Sequence, residues 1–230
     1  MEPNEYFYKL LEIEPAYEAE DRFFEPFWEF KYRFQSLQRH WGLSKDYIEN
    51  HISILNRVDG DGSAEFDCIF SETAEVDIEY FPEYLRLSTI SFSLSLVENL
   101  LGTLSDEIAK DTGKDLELDK RPLPYINKYI LWLTRGCGLE ITIDKSLWKS
   151  LDAIREMRNR FIHKIDRDIP NQVKKVISEM VPSTIDDENP VTNEFVDASF
   201  SKIAILVKNI ELAYIDFYEK QNGLTTKVRS

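Results

Sequence analysis

Residues 144–165 read DKSLWKSLDAIREMRNRFIHKI, and the spacing of their apolar side chains decides the fold. Leu147, Leu151, Ile154, Phe161, Ile162 and Ile165 recur at three- and four-residue steps, the buried stripe of an amphipathic helix. Asp144 suits the N-cap, because its carboxylate accepts orphan N–H bonds and favours the positive end of the helix dipole. Arg158 falls on the same row, four residues after Ile154 and four before Ile162. A guanidinium among apolar neighbours is costly unless an anion meets it.

The same periodicity continues outward from this helix. Pro82 opens a long helix to about Lys110, with Leu85, Phe92, Leu96, Val97, Leu100, Leu104 and Ile108 as its buried face. The serines at 88, 91, 93 and 95 inside it allow close helix approach. Asp111 to Leu123 reads as a polar connection. A second helix covers about Pro124 to Arg135 and stops at Gly136-Cys-Gly138; Leu139 to Ile143 then reads as a short extended piece. A short helix follows at 171–181, an acidic loop at Pro182–Pro190, and a last long helix at about 194–221. That last helix turns Phe200, Ile203, Leu206, Val207, Ile210, Ala213 and Phe217 inward. The predicted class is all-α: an up-and-down helical bundle with an N-terminal helical extension.

That extension is residues 1–80. Residues 5–19 and 21–41 have aromatic-rich helical character, Pro26 fits a first helical turn, and Ser44 begins a further helix. Asp59-Gly-Asp-Gly-Ser63 reads as a plain turn, since its glycines and acids fall in the wrong places for a calcium loop. Residues 66–80 read as a short strand or an irregular linker. The expected organisation is therefore an acidic, aromatic-rich extension over 1–80, a four- to five-helix core over 81–222, and a tail over 223–230.

Charge separates these regions. The net charge is −14, which opposes indiscriminate nucleic-acid binding. Residues 1–80 hold 19 acidic and 7 basic side chains, a net of −12, whereas residues 81–230 hold 23 and 21, a net of −2. Over 144–167 the balance reverses, with seven Lys or Arg against four Asp or Glu. Lys145, Lys149, Arg160 and Lys164 read as residues that solvate an exposed face. The acidic residues 1–80 are expected to restrain or select what reaches a basic groove, as a nucleic-acid mimic would.

Other classes are excluded by what the chain lacks. It has no signal pattern and no run of about 18 apolar residues, so a cytoplasmic protein without a membrane span is expected. Cys68 and Cys137 lie far apart and read as reduced thiols. With three histidines and no Cys/His cluster, no metal site and no cofactor is expected. There is no phosphate-binding glycine loop and no nucleophile elbow. His40 and His51 have no functional neighbours in sequence and read as structural or surface residues.

One constellation remains, in residues 155–163. Around the helix, Arg155, Arg158, Asn159 and His163 span an arc of about 140° beside the core stripe. Asn159 and His163, at i and i+4, stand one above the other. One phosphate could touch Arg158, Asn159 and His163 together. An arginine clamps phosphate through a fork of N–H groups, and an imidazole exchanges protons near neutral pH. These are the groups that RNA cleavage without a metal requires.

Arg158-Asn159, three residues and then His163, late in an internal helix, resembles the signature of HEPN domains. Many of those are metal-independent ribonucleases, among them toxins, abortive-infection nucleases and CRISPR accessory nucleases. The resemblance covers about residues 81–222. It implies an up-and-down bundle that forms a homodimer, with two motifs at one composite cleft acting on single-stranded RNA. It assigns Arg158 and His163 as the catalytic pair with Asn159 beside them, Arg155 as a further phosphate contact, and Glu98 as the first-helix glutamate that meets the motif. A tyrosine two positions after the histidine, modified in toxins paired with a nucleotidyltransferase antitoxin, is replaced here by Ile165. An antitoxin or regulatory partner would therefore act in another way. The competing expectation is a HEPN-like RNA- or nucleotide-binding or protein-interaction module without catalysis. There Arg158 pairs structurally with Glu98 or Glu156, and His163 is a surface residue near a helix C-terminus.

Overall fold

The computed structural model describes residues 25–58, 66–163, 169–182 and 191–221, with side chains described over 25–50, 80–160, 169–182 and 191–221. The described residues are helical or irregular, with no strand among them. The all-α class is therefore observed. Among the described residues six α-helices follow in order: α1 (Glu25–Val58), α2 (Phe66–Thr112), α3 (Tyr125–Leu131), α4 (Lys145–His163), α5 (Asn171–Met180) and α6 (Asn193–Gln221). The expected helix at 5–19 and the turn at 59–63 lie outside the described residues.

Two helices are longer than their sequence suggests. α1 runs unbroken through Ser44, whose hydroxyl donates to the His40 carbonyl at 2.9 Å. Ser44 thus satisfies itself inside the helix instead of capping a new one. α2 carries Pro82 in its interior and includes 66–80, which the sequence suggested as a strand or linker. Proline removes one backbone bond, but the apolar face beyond it is long enough for burial to override that local cost. The helix also crosses the 80/81 boundary, so no break separates the expected extension from the expected core.

α3 lengthens into a wide π turn at Trp132–Cys137 and stops at Gly138, φ 87°. That left-handed residue ends the helix as glycine does best. Leu139–Ile143 is irregular, held by Asn209 Nδ2 donating to the Thr142 carbonyl at 2.9 Å. The thiol of Cys137 is free and pushed up by burial.

α2 is the central element. It packs against α1, α3, α4 and α6, and α4 packs in turn against α5 and α6. Its buried face is Leu87, Ile90, Leu94, Val97, Leu101, Leu104 and Ile108, a strict three-and-four repeat. Leu100 is buried as expected, whereas Leu85 and Leu96 are only half-buried. Phe92 is a correction: it is 65 % exposed, because it lies half a turn from that repeat. The serines at 88, 91, 93 and 95 bond back to carbonyls of their own helix. The Tyr80–Thr112 part of α2 is long and apolar enough to cross a membrane by composition, and half of its most apolar 18-residue window is buried in the bundle.

α1 belongs to the same core. Phe27, Phe30, Phe34 and Trp41 are buried with residues of α2 and α6. Phe34 meets Phe200 edge-on at 5.3 Å, and Phe27 meets Tyr214 at 5.6 Å. Polar pairs lock the register. Lys31 bridges Glu211 at 2.6 Å, and Asp197 accepts from Trp41 Nε1 and Lys45 Nζ, both at 2.9 Å. On α6 the expected inward residues are buried, apart from a half-buried Phe217.

The cap of α4 is as the sequence suggests. Leu147 N–H donates to Asp144 Oδ1 at 2.7 Å, and Ser146 Oγ donates to the same oxygen at 2.8 Å. Those bonds hold the Asp144 carboxyl below its ordinary range. A depressed carboxyl stabilises the fold above its unfolded pKa, and the contribution fades as pH falls through the folded value. Asp144→Ala should therefore lower Tm at neutral pH, and the gap from wild type should shrink in acid. Thermal melts at both pH values check this; a gap that persists unchanged in acid would refute the cap.

Candidate functional site

The site is built where α4 crosses α2. On α4, Leu147, Leu151, Ala153, Ile154 and Met157 are buried and fix the rotation of the helix. Phe161 and Ile162 end in side chains outside the described set, and Ile165 lies outside the described residues. With Met157 taking the core position, Arg158 moves to the edge of the stripe instead of sitting on it. There its Nη1 donates to Glu98 Oε1 of α2 at 3.1 Å, with the two side chains 23 % and 29 % exposed. This long-range pair answers the cost of placing a guanidinium beside the core. It uses one nitrogen of the fork. The other two have no partner among the described residues.

The remaining motif residues surround this pair. Arg155 Nη2 lies 3.5 Å from Asp152 Oδ1, while its Nε is buried without a partner among the described residues. Asn159 is half-buried. His163 is the last residue of α4, one turn beyond Asn159, and its side chain is outside the described set. Glu156, the other acid considered for Arg158, instead accepts from Arg160 Nε at 3.2 Å. Arg160 is a correction, being only 14 % exposed rather than solvated. Lys145 and Lys149 are exposed as expected, and Lys164 lies outside the described residues. His40 is exposed beside Ser44, and the His51 side chain is outside the described set.

One neighbour was not legible in the sequence. Tyr129 of α3 lays its hydroxyl end over Gly102, four residues after Glu98 on α2; a Cβ on Gly102 would meet Tyr129 Oη at 3.4 Å. Burial, then Asp106, Tyr125 and Glu98, push the Tyr129 hydroxyl pKa upward. No periodicity marks this residue, because its partner is a glycine on another helix. Chemically, the arrangement offers a fork whose remaining N–H groups have no partner among the described residues, a half-buried amide and a histidine position one turn away. Among the described residues no three His, Cys, Asp or Glu side chains gather as a metal-binding group.

The chain matches no family model, no curated protein and no solved structure.

Proposed function

We propose that the chain is a metal-independent endoribonuclease of HEPN type that acts on single-stranded RNA, as a toxin or defence nuclease in the cytoplasm. The observation that carries this reading is the Arg158–Glu98 pair. It ties the motif helix to the long central helix and orients the guanidinium, leaving N–H groups for a phosphate. In this reading the 2′-hydroxyl attacks the adjacent phosphorus. The bond to the 5′-oxygen breaks, leaving a 2′,3′-cyclic phosphate and a 5′-hydroxyl. His163 moves the proton. Arg158 stabilises charge on the non-bridging oxygens, while Asn159 orients the phosphate or ribose and Arg155 adds a contact. Incubating purified protein with RNA in excess EDTA, beside its His163→Ala variant, tests the reading.

An in-line transfer benefits from an acid and a base on opposite sides of phosphorus, so two motifs related by a two-fold axis suit the chemistry. The outward face of α2, six residues ahead of Glu98, offers the surface. Phe92 is exposed there, with Ser88 and Ser95 one turn to either side, their hydroxyls already bonded within the helix. The chain is expected to sediment as a dimer at micromolar concentration, and Phe92→Asp to shift it to monomer. A monomeric wild type would remove the composite cleft.

The second reading, a HEPN-like binding or interaction module without catalysis, draws on the same pair. Glu98 satisfies Arg158 from within the chain, and the net charge is −14. Absence of cleavage by both proteins in the EDTA assay would favour it.

A further inference from the structure

α3 carries two tyrosines one turn apart, Tyr125 and Tyr129, which i and i+4 spacing places on the same side of the helix. Their environments differ. Tyr129 rests on α2 at Gly102. Gly102 is one turn beyond Glu98, so the Tyr129 hydroxyl and the Arg158 guanidinium meet α2 about 6 Å apart along its axis. Tyr125 projects outward and is 60 % exposed, with Lys128 Nζ over its ring at 5.5 Å. An exposed aromatic next to a lysine, on a helix packed against the same α2 that holds the arginine fork, is a combination by which proteins hold unpaired nucleotides. The base stacks on the ring while cations meet the backbone. Asp106 and Glu98 are the acids whose charges act on the Tyr129 hydroxyl. Glu98 is engaged by Arg158, and Lys128, on the same helix as the tyrosines, acts on the Asp119 carboxylate.

We propose that Tyr125, with Lys128 and the Tyr129 ring behind it, is a stacking platform for one unpaired nucleobase of a strand whose neighbouring phosphate lies at Arg158. The proposal rests on the ribonuclease reading and adds a substrate contact outside the motif. The platform accepts any base, because every base presents a π-face. It rejects paired bases, whose faces are already covered in the duplex. Preference for single strands would thus arise on α3, not from residues on α4.

The test measures binding apart from cleavage. A short, fluorescein-labelled single-stranded RNA with 2′-O-methyl sugars cannot undergo 2′-hydroxyl attack, and its anisotropy reports affinity for the full chain. Tyr125→Ala should weaken binding roughly 10-fold, the usual weight of one stacked base, and Tyr125→Trp should restore it. A strand of equal length and charge that is abasic throughout should bind wild type and Tyr125→Ala equally. If Tyr125→Ala binds the base-containing strand as wild type does, the platform is wrong and the ribonuclease reading stands. If wild type binds no strand at low salt, the platform and the ribonuclease reading fall together.

Discussion

Replacing His163 by alanine should slow RNA cleavage roughly 10²–10⁴-fold, the weight of a positioned general acid or base. The expectation rests on where α4 ends. Asp144 starts the helix and buried Leu147, Leu151, Ile154 and Met157 set its rotation. That rotation puts position 163 one turn beyond Asn159, on the flank that carries Arg155. The assay follows a labelled unstructured RNA in excess EDTA and identifies the ends. A 2′,3′-cyclic phosphate and a 5′-hydroxyl mark 2′-hydroxyl attack. An Arg158→Lys arm belongs beside it, because a point charge cannot reproduce the fork that Glu98 holds by one nitrogen. It should also lose activity while the protein stays folded. Equal cleavage by wild type and His163→Ala would place the activity elsewhere. The same comparison in cells should show growth arrest with wild type and relief with the variant.

Phe34→Ala should destabilise the whole molecule by about 3–5 kcal/mol, the range for a large aromatic removed from a core. Phe34 is fully buried, stacks on Phe30 at 5.1 Å and meets Phe200 of α6 edge-on. Few residues can rearrange to fill the space, since its ring partners Phe30 and Phe200 are themselves buried. For a chain of this size each kcal/mol lowers Tm by about 2–4 °C, so a drop of roughly 10 °C is expected. The unfolding should remain one transition, because α1, α2 and α6 share a core. A small local transition followed by an unchanged main one would mean that α1 is a separate cap. Removing all of residues 1–80 would delete Phe27, Phe30, Phe34 and Trp41 from that core. The restraining role proposed for the acidic N-terminal region is therefore tested by removing only the residues ahead of α1.

The sequence by itself determined the helical class, the position of the motif helix and its cap. Apolar steps of three and four residues are a local consequence of 3.6 residues per turn, and Asp144 caps its own neighbours. It also named Glu98 among the acids for Arg158. Tertiary structure decided the rest. α2 has apolar side chains around much of its circumference, so periodicity alone could not choose Phe92 or Leu94 for the core. The packing of α1, α3, α4 and α6 around it left Phe92 outside. Pro82 and Ser44 read as boundaries because local propensity disfavours them within helices. Burial over long helices outweighs a local cost of that size. The choice of Glu98 over Glu156, and the seat of Tyr129 on Gly102, depend on which faces meet when α2, α3 and α4 pack. Such contacts between residues distant in sequence leave no mark on the spacing of either helix.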